Sequence, residues 1–399
     1  MSRVKVALVH DWLTGMRGGE KCLEVFCELF PAADLFTLVH VPGRVSPTIE
    51  RHPIVTSFLQ GFPGSKRWYR YYLPLMPAAI ETLDVSAYEL ILSSSHCVAK
   101  GVIPSPTALH VSYVHTPVRY AWDLWPHYFS GKRRLNRYVV PFVLSGLRTW
   151  DVAATHRVDH LIANSRFVAQ RMARYYRRQA TVIHPPVDTS MFNPGNTSSD
   201  FYLMVSALVP YKGIDLAIEA CQALRRPLKI IGSGPLEKAL KRLAGPAVEF
   251  LGWRSNEELS HYYAACRAVI FPSQEDFGIV PLEANAAGRP VIAFGQGGAL
   301  ETVVPANDPQ QPMSLHPRLQ IKGKADYRPT GVFFLPRTAS ALQAAVQFFE
   351  AHERLFCSEA LRYHALQFDR ERFKSRIHHF LTTVWKRHRD GSPSSICPV

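Results

Sequence analysis

The chain has 399 residues, more than one ordinary hydrophobic core organises, so two domains are expected. Hydrophobic residues make up 47% and charged residues 20%, which excludes a disordered or fibrous chain. The balance of 46 Lys and Arg against 32 Asp and Glu, a net charge of +14, points to anionic partners: nucleic acid, an anionic membrane surface or a phosphorylated substrate.

Short β-branched runs alternate with helical patterns, which predicts α/β architecture with parallel sheets. In the first half, strands are expected at 4–9, 35–39, 88–95, 108–114, 160–165 and 181–188, and Gly18-Gly19 opens an amphipathic stretch through Phe30. Asn164 and Ser165 are placed to cap a helix over 166–176. Residues 189–200, rich in Ser, Asn, Gly and Pro, lose periodicity and read as a linker. A second series follows, with strands at 201–208, 228–232, 248–252, 268–273, 289–294 and 331–335, helices from about Ile214 and Pro235, and a polar, proline-containing surface insertion at 305–330. Helices then run to about His388, ahead of a frayed tail. Two such domains in tandem place a ligand at the carboxyl ends of the strands, in a cleft between them.

Seven scattered cysteines form no CxxC pair, so neither zinc spacing nor a disulfide framework is expected, and a reducing cytosol is the simplest compartment. The start, MSRVKVALVHDW, enters a strand pattern without an apolar signal region. The longest apolar run, 139–147, is interrupted by Pro141, Ser145 and Gly146 and falls short of the about 20 residues a membrane span needs. Membrane contact would be peripheral.

The segment from Pro272 to Glu283 carries the sharpest chemistry. A strand ends at Pro272, a loop bears Glu275, Gly278 permits close backbone approach, and Pro281 suits a first helical turn. Two carboxylates then flank a helix N-terminus whose free N–H groups favour an anion or a sugar oxygen. An arbitrary pair of glutamates at this spacing is usually one loop residue and one ion-paired helix residue; the strand–loop–Pro–helix context argues otherwise. Asp276-Phe277-Gly278 also spells a kinase magnesium motif, but no companion glycine-rich and catalytic loops accompany it.

With this segment the sequence resembles the family 4 retaining glycosyltransferases of the GT-B fold, two Rossmann-like domains with parallel sheets facing each other across a cleft. Glu275-Asp-Phe-Gly-Ile-Val-Pro-Leu-Glu283 matches that family's signature. So do the turn at Gly18-Gly19-Glu20, the histidine loop Val114-His115-Thr116-Pro117, the lysine segment 209–213, the turn Gly232-Ser-Gly234, and the loop Gly297-Gly298-Ala-Leu-Glu301. The blocks 71–81 and 113–128 resemble bacterial surface-polysaccharide enzymes, several of them mannosyltransferases.

The resemblance implies an acceptor-binding domain over 1–188, a linker over 189–200, a nucleotide-sugar domain over 201–368, and a final helix and tail, 369–399, returning to the first domain. It implies that Glu275 holds hydroxyls of the transferred sugar and that Glu283 grips the ribose. The backbone at Phe277, Gly278 and Ile279 would face sugar and phosphates, with Gly232 and Gly234 near the base. Lys212 would neutralise the leaving diphosphate, His115 would contact the sugar or the departing phosphate, and Gly18 and Gly19 would admit the donor phosphates. No cofactor and no metal are implied, the nucleotide sugar being a substrate. The family's arginine five residues before the lysine is replaced by Ala207, which leaves Arg119 and Arg166 as candidates for phosphate or acceptor contacts.

The basic runs 66–72, 132–137 and 171–179 suit a peripheral face on an anionic membrane, a polyprenyl-diphosphate-linked saccharide acceptor, or simply a solvated surface. The expected enzyme is a cytoplasmic hexosyltransferase in peripheral contact with the inner face of the cell membrane, using GDP-mannose by preference. Another UDP- or GDP-hexose, an epimerase on the same architecture and a nucleic-acid binder remain as alternatives; the motif set argues against nucleic acid.

Overall fold

The computed structural model describes residues 4–123, 136–195, 199–308, 311, 314–316 and 327–391. Most of the basic run 132–137, the middle of the 305–330 insertion and the tail from 392 lie outside these residues. The chain divides into two compact units, Met1–Pro186 with Glu371–Val399, and Val187–Arg370.

In the first unit the strands β1 (Val6–His10), β2 (Asp34–Thr37), β3 (Ile54–Thr56), β4 (Leu90–Ser95), β5 (Leu109–Val114), β6 (His160–Ala163) and β7 (Thr181–Val182) form one sheet, ordered β3-β2-β1-β4-β5-β6-β7. Every pairing is parallel, with Leu8 opposite Leu35 and Leu92. A parallel sheet has both faces covered, which is why β1 is buried throughout. Leu8, Leu35 and Leu92 point to a core shared with Leu23 and Phe26 of helix α1 (Gly18–Leu29), while their neighbours Ala7, Val9, Phe36 and Ile91 point to a second core with Met76, Ile80 and Val98.

A helix that the sequence pattern did not reveal, α2 (Asn136–Thr155), also belongs to this unit. Pro141 and Gly146 interrupt its apolar run, yet Leu144, Leu147, Asp151 and Ala154 keep a helical spacing and are buried. Helix α3 (Arg166–Tyr176) begins where Ser165 Oγ accepts the Val168 N–H.

The second unit holds β8 (Tyr202–Val205), β9 (Leu228–Ile231), β10 (Val248–Gly252), β11 (Ala268–Phe271), β12 (Val291–Phe294) and β13 (Gly331–Phe334), ordered β10-β9-β8-β11-β12-β13 and again parallel. Both sheets thus reverse direction beside their first strand, at β1/β4 and at β8/β11, the order of a doubly wound nucleotide-binding sheet. The expected α/β class with two parallel sheets is what the chain adopts.

Three local readings change. Strand β3 was not expected. Residues 189–195, read as linker, lie in the second unit, where Thr189 and Phe192 are buried. The ends of the 305–330 insertion are not a surface excursion: Ala306, Asn307 and Thr330 are buried. The Asn307 side chain donates to Phe333 O at 2.7 Å and accepts the Phe333 N–H at 2.9 Å, supplying the outer edge of β13 with the partners another strand would give.

Candidate functional site

In the second unit, β8 leads into a 3₁₀ turn at Pro210–Lys212, closed by Gly213 at φ +68° ahead of helix α4 (Ile214–Ala223). Strand β11 leads into the loop bearing Glu275 and then helix α5 (Ile279–Ala286), entered through Gly278 at φ +95°. Both loops rise from the carboxyl ends flanking the reversal point, where such sheets bind ligands. There Lys212 Nζ contacts Glu275 Oε1, both side chains partly exposed.

The loop after β12 sets the position of Glu275 by backbone contact. Gly298 N–H donates to Glu275 O at 2.8 Å, and a Cβ at Gly297 or Gly298 would fall 2.6 Å from Glu275 O or 2.3 Å from the Phe277 backbone. Phe277 itself is an anchor: its ring is buried with Val187, Leu282 and Phe368. The amides opening α5 belong to the first turn and have no partner within the helix. Glu283 is buried further along α5 and accepts the Tyr263 hydroxyl at 2.9 Å. Gly232 and Gly234 let the loop after β9 pass against the one after β8, since a Cβ at either would lie 1.9 Å from Ser206 O or 2.5 Å from Leu208 O.

Arg337, just beyond β13, is a residue the sequence did not bring forward. It donates to Pro272 O at 2.9 Å and to Tyr211 O at 2.7 Å, tying together the loops of Glu275 and Lys212. Burial lowers its pKa, opposed by the charges of Asp215 and Glu275. Arg119 and Arg166, the candidates for phosphate or acceptor contacts, belong to the first unit, while Arg337 is the guanidinium bonded to the Lys212 turn of the second.

In the first unit, His10, His96 and His115 meet at the carboxyl ends of β1, β4 and β5, beside the start of α1. Gly18 and Gly19 are the first two residues of α1, and a Cβ on Gly19 would lie 3.5 Å from His10 and 3.7 Å from His115, ordinary contact distances. His115 Nε2 sits 2.9 Å from Ser94 Oγ, and its carbonyl accepts from Asn164. Burial, with the charges of His96 and His10 adding to it, pulls the His115 pKa down to about 3, so the ring is neutral near pH 7.

Asp11 holds this corner together. Its buried carboxylate accepts four backbone N–H groups, from His96 to Ala99, and pairs with His96 Nδ1 at 2.9 Å. Burial works against its ionisation, but the His96 charge and hydrogen bond win and hold its pKa far below the carboxylate range. Burial likewise lowers His96, and Asp11 more than reverses this, raising its pKa above the usual value. His10 is buried with Glu20 Oε1 3.7 Å away. Of this group the sequence brought forward only His115; His10, Asp11 and His96 come from distant segments and share no local pattern with it. Among the described residues no cluster of three or more His, Cys, Asp or Glu could hold a metal ion, and no helix is long and apolar enough to cross a membrane.

Residues 16–191 match the family described as Glycosyltransferase Family 4, and residues 188–319 that described as Glycosyl transferases group 1. An uncharacterized glycosyltransferase of Methanocaldococcus jannaschii is 32% identical over 157 residues, 38% of this chain and 44% of that relative. A GDP-mannose-dependent alpha-(1-6)-phosphatidylinositol monomannoside mannosyltransferase of Mycolicibacterium smegmatis is 34% identical over 172 residues, 35% of this chain and 45% of that relative. The chain thus spans less than half the length of these relatives. Sucrose-phosphate synthase from Thermosynechococcus elongatus shares the fold, with a TM-score of 0.68 at 17% identity, covering 96% of this chain and 100% of that one. Residues 16–191 and 188–319 are thus each similar to a glycosyltransferase family, and the two doubly wound parallel sheets match the GT-B type of α/β fold.

Proposed function

We propose that this chain is a metal-independent retaining glycosyltransferase. It transfers a hexose, with GDP-mannose the favoured donor, to a polyprenyl-diphosphate-linked saccharide in bacterial surface-polysaccharide synthesis, at the cytoplasmic membrane face. The observation that carries the reading is the Lys212–Glu275 contact at the reversal point of the second sheet, beside the amides that open α5. A cation, a carboxylate and a helix N-terminus together suit a sugar diphosphate: the amides and Lys212 take phosphate oxygens, and Glu275 accepts from sugar hydroxyls. The GDP-mannose-dependent name of the mycobacterial relative supports the donor preference.

In the reaction, the bond from the anomeric carbon to the diphosphate oxygen breaks and its electron pair leaves with the diphosphate. The acceptor oxygen bonds the same face of that carbon, and its proton passes to the leaving phosphate. Lys212 meets charge where it develops, which lowers the barrier rather than merely tightening binding. A neutral His115 can donate to or accept from a sugar hydroxyl without adding charge. The test is release of nucleoside diphosphate from a panel of GDP- and UDP-sugars, with and without EDTA, in wild type and Glu275→Ala. Selective, EDTA-resistant release that the variant loses supports the reading and names the donor; release by neither protein from any donor refutes it.

A further inference from the structure

The first unit contains a pocket of about 500 Å³ into which Arg17, Arg44, Lys66, Arg67 and Arg70 converge around Tyr69. Among the described residues none of these five cations has a carboxylate within ion-pair distance, whereas elsewhere the protein pairs cations readily, as Arg157 with Glu81 and Lys374 with Glu28. Like charges gathered around one concavity repel, and an anion placed among them relieves that repulsion. Thr14 Oγ1 and Tyr69 Oη, 3.4 Å apart on the pocket wall, add neutral hydrogen-bonding groups.

The same stretch of chain exposes apolar side chains. Trp68 is 54% exposed, Tyr71 79% and Leu75 41%, within the short helix Ser65–Trp68 and the 3₁₀ segment Tyr69–Leu75. Trp and Tyr beside cations suit a ligand that is anionic at one end and hydrocarbon at the other. Arg17, the residue before Gly18, also lines the pocket, which therefore adjoins the entry to α1, where Gly19 lies against His10 and His115.

We propose that this pocket anchors the diphosphate of an amphipathic acceptor, with Trp68, Tyr71 and Leu75 receiving its hydrocarbon chain. The proposal rests on the acceptor class given above and assigns it a site. An acceptor held there by its diphosphate presents the attached sugar toward Gly19 and His115. The pocket's five cations match a diphosphate's several oxygens, which arginine forks bind in pairs.

Calorimetric titration of the full chain with farnesyl diphosphate, inorganic pyrophosphate and phosphatidylglycerol vesicles tests this. The variants are Arg67→Gln/Arg70→Gln and Trp68→Ala/Tyr71→Ala, both checked for unchanged melting. Farnesyl diphosphate is expected to bind wild type and to weaken about tenfold or more in the arginine variant, the scale of one lost charge-assisted hydrogen bond. Pyrophosphate should weaken in the arginine variant alone, and the aromatic variant should lose the extra affinity for the farnesyl compound. Failure of wild type to bind farnesyl diphosphate, or equal binding by the arginine variant, overturns the proposal. Vesicle binding that needs the arginines while pyrophosphate binds nowhere would also overturn it, assigning the patch to a membrane surface. Hydrolysis of the nucleotide sugar by water, followed in the same proteins, is independent of this pocket, so its absence would count against the proposed function and not against the anchoring site.

Discussion

Lys212 and Glu275 contact each other, so neither acts alone. Removing one partner of a partly buried pair leaves the other uncompensated, so each single variant loses both its own role and the placement of its neighbour. Glu275→Ala is expected to cut transfer by about two to three orders of magnitude, the scale of losing one well-placed polar group in a site. Lys212→Gln should fall in the same range, and the double variant should lose much less than the product of the two. Measured kcat/KM values that simply multiply would mean the two residues act independently and that their contact is incidental. His110 offers a second residue-scale prediction. It is fully buried near the start of β5, with Nε2 2.9 Å from Ser93 Oγ. Burial pulls its pKa to about 3, with Arg157 and Arg178 adding charge repulsion against a partly offsetting backbone hydrogen bond. Its folded pKa lies below the unfolded one, so its contribution is complete above the ordinary histidine pKa and is lost as pH falls from there toward 3. Unfolding then takes up one proton, and stability should drop by about 1.4 kcal/mol per pH unit from this group. Urea midpoints at about pH 7 and pH 5 should therefore move further in wild type than in His110→Gln, since the carboxylates are common to both proteins. Equal movement would show that His110 is protonated in the folded state.

At the scale of elements, the candidate glycines of the two units are of two kinds. Gly232 faces Ser206 O at a distance no Cβ could occupy and has φ +136°, so Gly232→Ala should fold poorly or melt much earlier. Gly19 has room for a methyl group against His10 and His115. Gly19→Ala is expected to keep the wild-type melting temperature while raising the KM for the donor, because the added atom stands where a ligand would approach; unchanged kinetics would remove Gly19 from the donor site. Sequence patterns identified most strands and several helices because buried parallel strands are compact β-branched runs bounded by turn residues, as in residues 6–10 and 268–271. They missed α2, whose apolar stripe is disguised by Pro141 and Gly146, and the support for the 305–330 ends, since one buried asparagine replacing a strand leaves no periodic trace. The Glu275–Glu283 segment was legible because its chemistry is local, a loop followed by a helix start. The Asp11–His96 corner was not, because β1 and β4 become neighbours only through the sheet order, and Arg337 reaches its two carbonyls from beyond β13.

At the scale of the whole molecule, the first unit is built from both ends of the chain. Its last helix, Arg370–Arg389, is strongly basic on its outer face, yet buries Phe373, Ile377, Phe380, Leu381 and Val384 in the core formed by Leu8, Phe26, Leu35 and Tyr113. The Phe373 ring lies 6.0 Å from that of Phe26 and 5.7 Å from that of Tyr113, and Lys374 pairs with Glu28 at 2.9 Å. Each such side chain contributes about 1.5–3 kcal/mol on burial, so five of them rival the about 5–15 kcal/mol by which a whole domain is stable. The helix is therefore part of the first unit's core rather than an appendage of the second. A chain truncated after Asp369 is expected to lose the first unit's cooperative unfolding and to expose the apolar face of α1, while the second unit, which keeps both of its own cores, should still bind a nucleoside diphosphate. Tryptophan fluorescence is the direct readout for the loss: the truncation removes Trp385, but Trp12, Trp68, Trp122 and Trp150 stay in the first unit and Trp253 in the second. If the truncated chain instead kept the wild-type unfolding transition, the first sheet would be stable without its final helix, and the return of the chain to that unit would be a matter of tethering and not of folding.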